Sequence, residues 1–139
     1  MMKTSCWVCW GLALVFVTGC SMQVHEPLPA NPSRYNRLKR LHTLWWSDHR
    51  DMEDAVGEPQ LHVFTVSYDR VKSDLELIEK DVSEKGKPEI SEIREAYEAI
   101  ARKYRKFKRA KRTRHRLDRL QLRTGKFLKK ELKKAASEK

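Results

Sequence analysis

The stretch HTLWWSDHRDMED, residues 42–54, is the densest collection of side chains able to do chemistry in this chain of 139 residues. On a helix His42, His49 and Glu53 fall at i, i+7 and i+11 and share one face, with Asp48 and Asp51 nearby. A zinc site wants two ligands one turn apart plus others brought in from a distance, and His49 and Glu53 supply one such pair. No His-Glu-x-x-His or comparable pattern accompanies it, so no metal and no metal ligands are expected. Trp45 and Trp46 are neighbours, about 100° apart on a helix. One can face a core while the other looks outward, which makes Trp46 the candidate partner contact.

Other chemistry is missing from the pattern. Ser/His/Asp and Cys/His nucleophile arrangements, glycine-rich phosphate loops and a carboxylate pair with a spacing rationale do not occur. The chain is expected to be no enzyme and to use no cofactor.

The most charged stretch is RKYRKFKRAKRTRHR, residues 102–116, with ten cations in fifteen positions. These are Arg102, Lys103, Arg105, Lys106, Lys108, Arg109, Lys111, Arg112, Arg114 and Arg116. Such density suits a polyanion. Tyr104 and Phe107 interleave with the cations as aromatics do in single-strand binders. Both also fall on the apolar seam of a helix, so their expected role is packing. The formal net charge of +11 conceals a division. Residues 20–100 hold 11 Lys/Arg against 16 Asp/Glu, whereas residues 101–139 hold 18 against three.

The address comes from the start of the chain. MMKTS is followed by CWVCWGLALVFVTG, an apolar run of 14 residues at 6–19. That suits the hydrophobic part of a signal peptide and falls short of the roughly 20 residues a helix needs to span a bilayer. Val17-Thr18-Gly19-Cys20 resembles a lipobox, the processing site of bacterial lipoproteins. The resemblance implies cleavage before Cys20, lipidation of Cys20 and removal of 1–19 as a signal peptide. It further implies a membrane anchor, since two or three acyl chains hold a protein stably on lipid. Among lipoproteins of enterobacterial type a residue other than aspartate after the cysteine favours the outer membrane, and here the residue is Ser21, which implies an outer-membrane address facing the periplasm. Cys6 and Cys9 form a Cys-x-x-Cys inside the removable segment, so no metal or redox role is expected of them.

The mature chain reads as all-α. Residues 20–32, carrying the lipidated cysteine and Pro27, Pro29 and Pro32, read as an extended tether. Residues 33–139 read as a helical coiled-coil domain with a basic tail. Ser33 is placed to cap a first helix running to about Val56. Leu61, Phe64, Tyr68, Val71, Leu75, Ile78 and Val82 alternate by three and four, an a/d seam that predicts a second helix over about 60–85. Gly86 reads as its C-cap and Pro88 as a first-turn residue of the next helix. That seam continues at Ile90, Ile93, Tyr97, Ile100, Tyr104 and Phe107. It then slips, resuming at Ala110, Thr113, Leu117, Leu120, Thr124 and Phe127. The expectation is one long helix over about 89–135 with a stammer at 110–113 and a soft spot at Gly125. The architecture expected is an extended helical hairpin or an up-down-up three-helix coiled coil, its basic C-terminus furthest from the anchor.

Function follows as an expectation. The chain reads as an envelope lipoprotein, a membrane-anchored spacer or adaptor whose basic helix meets an anionic envelope polymer or an acidic protein. An accessory subunit of a secretion or transport assembly is the alternative. Homo-oligomers are possible through the acidic stretch 74–98, and nucleic acid returns as a partner only if the signal reading fails. The lipobox, the a/d helix and Lys139 resemble the Braun-type major outer-membrane lipoprotein. This chain ends Ser-Glu-Lys where that family ends Tyr-Arg-Lys, so covalent attachment to peptidoglycan is not expected.

Overall fold

The computed structural model describes residues 32–138, and those residues fold as four helices packed on one another with no strand among them. The all-α expectation holds. The helices are α1 (Arg34–Asp54), α2 (Leu61–Asp81), α3 (Lys87–Phe107) and α4 (Ala110–Ser137). Short connections make neighbours antiparallel, and contacts run α1–α2, α2–α3, α3–α4 and α4–α1, closing a four-helix ring. With 21 residues in each of the first three helices, the bundle is about 30 Å long at 1.5 Å per residue.

Local signals behave as their chemistry dictates. Ser33 caps α1 by accepting from the Asn36 amide at 3.2 Å. Gly57 sits at φ +91, a conformation open to glycine, and ends the α1 turn. Pro88 lies in the first turn of α3. The α2 seam is buried from Phe64 to Val82, and Ile90, Ile93, Tyr97, Ile100 and Tyr104 continue it on α3. Gly86 is not the C-cap of α2, a place taken by Val82, but the N-cap of α3. It closes a 3-10 turn over Glu84–Gly86, and a Cβ there would lie 2.9 Å from Glu131 Oε1. The need for glycine at that point is close approach, not left-handed backbone.

The main correction concerns the predicted long helix. It is broken at Lys108, which takes the left-handed conformation (φ 49, ψ 35) while its amide still reaches the Tyr104 carbonyl at 2.8 Å. The chain reverses there, so the slip at 110–113 is a change of helix and no stammer. Phe107, expected on the seam, is 54% exposed at the turn. Two effects favour the break. A continuous helix would align Arg105 with Arg109 and Lys108 with Arg112 as like-charged i,i+4 pairs. More importantly, the reversal buries Leu117, Leu120, Phe127 and Leu128, each worth about 1.5–3 kcal/mol. That gain far exceeds the roughly 1–2 kcal/mol of a left-handed lysine. Gly125 leaves α4 uninterrupted.

The fourth helix also relocates the C-terminus. Arg34 at the start of α1 pairs with Glu131 and Glu138 of α4, and Arg34 Nε donates to the Asp81 carbonyl. The end of the basic tail therefore lies beside residue 33 and not remote from it. Residues 102–116 do lie at the opposite end, beside the α1–α2 connection: the Gly57 amide donates to the Tyr104 hydroxyl at 2.7 Å, and Arg114 donates to the Val56 carbonyl.

Lys108→Gly tests the turn by sign. Relief of the left-handed lysine is expected to raise stability by about 0.5–1 kcal/mol in urea unfolding, whereas glycine inside an unbroken helix would lower it by a similar amount.

Candidate functional site

The ten cations of 102–116 are brought together by the α3–α4 reversal. Arg102, Lys103, Arg105 and Lys106 come from the last turns of α3, Lys108 and Arg109 from the turn, and Lys111, Arg112, Arg114 and Arg116 from the first turns of α4. All are exposed but Arg116, which is half-buried. Among the described residues none of the ten makes a salt bridge. The carboxylates are engaged by other cations, as in Arg94 with Glu76 and Glu79, Arg37 with Asp81, Arg123 with Glu92 and Lys87 with Glu84. The acidic stretch 74–98 is thus partly neutralised inside the chain, and the basic cap is not.

The cap has internal order. Phe107 serves as a platform, with Lys106 Nζ 5.2 Å and the Arg109 guanidinium 5.6 Å from its ring centre. Arg105 lies over the Tyr68 ring at 5.3 Å. Lys103, Phe107, Arg109, Arg112, Thr113 and Arg116 line a hollow of about 260 Å³. Arg114 stands apart, because its guanidinium is spent on the Val56 carbonyl and acts as a strut for the α1–α2 connection. Cys20 lies outside the described residues.

The histidine cluster resolves into structure. His49 is fully buried, and its Nδ1 lies 2.7 Å from the Tyr97 hydroxyl. Trp45 Nε1 donates to the same oxygen at 3.0 Å, leaving the tyrosine proton available to His49 Nδ1. Burial pushes the His49 pKa down to about 4, against the opposing pull of Asp118, so the ring stays neutral. Its Nε2 faces Glu53 at 3.7 Å. His42 stacks on Trp45 instead of joining a ligand set. Among the described residues no group of three or more His, Cys, Asp or Glu is placed to hold a metal.

Trp45 and Trp46 divide as expected: Trp45 is buried and Trp46 is 44% exposed, at the groove between α1 and α4. Three polar contacts between helices escaped the sequence reading. Tyr97 looked like one more seam residue, although a tyrosine among isoleucines signals a buried hydroxyl in need of partners. Asp74 and Asp48 meet between α2 and α1; burial, then the hydrogen bond and charge of Asp48, raise the Asp74 pKa to about 8. Glu53 is raised to about 7 by burial and then by Asp118. No spacing rule links these partners, because each pair joins different helices.

No family model, curated protein or solved structure matches the chain. No helix of the described residues is long and apolar enough to cross a membrane.

Tyr97→Phe is expected to lower stability by about 1–3 kcal/mol, since it leaves Trp45 Nε1 and His49 Nδ1 buried without a partner; chemical unfolding with circular dichroism measures it. A second expectation concerns pH. Asp74 and Glu53 have folded pKa values above their unfolded ones. Their contribution is whole below about pH 4 and is lost as pH rises through about 7 and 8. His49 works in the opposite sense and loses stability only as pH falls from about 6.5 toward 4. Asp74→Asn should therefore flatten the decline of the urea midpoint between neutral and mildly alkaline pH, with little change near pH 4.

Proposed function

We propose that this protein is a non-enzymatic lipoprotein of a bacterial cell envelope, tethered through Cys20, whose bundle offers a basic cap to an anionic surface or acidic partner. One observation carries the reading. The cations of 102–116, in no salt bridge among the described residues, cap the end of the bundle remote from residue 33. A chain held at its N-terminal side thus presents its unneutralised charge about 30 Å further out. Exposed cations on a stiff scaffold attract polyanions at long range and are screened by salt. The lipobox resemblance supports an outer-membrane location facing the periplasm, which favours envelope polymers over nucleic acid as the anion.

Purified peptidoglycan should retain the protein at low salt and release it at high salt. The triple change Arg105→Glu, Arg109→Glu, Arg112→Glu should abolish retention, while Lys80→Glu, far from the cap, should leave it intact. Equal retention of the triple variant would overturn the reading. Mass spectrometry of the native N-terminus checks the tether: a diacylglyceryl-modified Cys20 is expected, and an unmodified chain beginning at Met1 would remove the envelope assignment and restore nucleic acid as the candidate polyanion.

A further inference from the structure

Gly125 has no structural reason to be glycine. It lies inside α4, where glycine costs a helix about 1 kcal/mol relative to alanine. A Cβ added there would meet nothing within 4 Å. Gly57 and Gly86 differ, the first by its positive φ and the second by the Glu131 carboxylate against it. The space left by Gly125 is part of a groove of about 530 Å³ between α1 and α4, a volume within the range of small-molecule sites.

The groove is cationic at one end only. Trp46 of α1 with Gln121 and Leu122 of α4, the leucine 65% exposed, wall its upper part, which carries no charge. Because the helices are antiparallel, His42, Thr43, Lys126 and Lys129 gather at the lower part, on the side of residue 33. Among the described residues no carboxylate lines it. The seven helical steps from Leu122 to Lys129 span about 10 Å, the scale of a short aliphatic chain. A partner helix would need apolar anchors repeated at i, i+3, i+4 and i+7, and the groove supplies two large ones.

We propose that this groove binds a single-chain anionic amphiphile, a medium-chain fatty carboxylate. Its tail lies between Trp46 and Leu122 across Gly125, and its carboxylate lies between Lys126 and Lys129. The assignment rests on the opposition of an uncharged half, dominated by Trp46 and Leu122, and a cationic half around a missing side chain. It goes beyond the adaptor reading and does not depend on it, since the basic cap lies at the far end of the bundle.

Decanoate, kept below its micelle-forming concentration, is titrated into the intact protein while the Gly125 amide resonance is followed by NMR. Saturable binding is expected, with decyltrimethylammonium at least about tenfold weaker because the lysines repel its head group. Gly125→Leu fills the notch with a better helix former, so it should abolish binding without lowering the melting temperature. Lys126→Glu with Lys129→Glu should weaken decanoate binding by about tenfold or more. Undiminished binding to a folded Gly125→Leu variant, or equal binding of the cationic amphiphile, would overturn the proposal. The triple cap variant should bind decanoate normally, which separates failure of this site from failure of the cap.

Discussion

The reversal at Lys108 is the constraint on which the rest of the molecule depends. It converts what would be one helix of more than 45 residues into an antiparallel pair and supplies the fourth wall of the bundle. With α4 in place, α1 gains a second neighbour, the Tyr97 hydroxyl is sealed from water and the α1–α4 groove comes into being. The same turn gathers cations that an unbroken rod would have spread along its length. Lysine in the left-handed region is a local penalty accepted because the apolar stripe of α4 must be covered.

Polar groups hold the two ends of the bundle in register. At the end near residue 33, Glu131 is buried yet accepts from the Ser83 amide at 2.8 Å, the Ser83 hydroxyl at 3.0 Å, Lys134 at 2.7 Å and Arg34 at 3.2 Å. Burial alone would push its pKa up, but the bonds from Lys134 and Ser83 outweigh it and the net shift is downward. One carboxylate thereby joins α1, the α2–α3 connection and α4. At the other end Tyr104 and Arg114 tie the α1–α2 connection to α3 and α4. Such bonds do less for net stability than the apolar core does, but they penalise any slipped packing in which they go unmade.

Much of this was legible in the residues. The three-four alternation identified the buried faces of α2 and α3. The shifted frame from Ala110 named five of the residues that α4 buries, Thr113, Leu117, Leu120, Thr124 and Phe127, but not Leu128, Glu131 or Ala135. The pattern did not say whether the shift was an overwound rod or a reversal. Both leave the same residues facing inward, and Lys108 carries none of the glycine or proline that marks a turn. Continuing the shifted frame by four from Phe127 lands on Glu131, which reads as the end of a seam until Ser83, Lys134 and Arg34 are seen around it. The basic cap was visible as a run of charge, while its position depended on the fold. The α1–α4 groove was invisible, because it is made by a side chain that is not there and by two helices whose contact no local signal announces.

The adjacency of Arg34 and Glu138 has a mechanical consequence. A force that separates residue 33 from residue 138 acts on neighbouring points at one end, and it peels α1 from α4 a contact at a time, starting at the Arg34–Glu131 pair. A force between residue 33 and the far turn at Lys108 runs along the helix axes and sets α1 sliding against its neighbours, so Leu38, Trp45 and Met52 must all leave their packing together. The bundle is therefore weak to unzipping from its base and resistant to being stretched between its base and its basic tip.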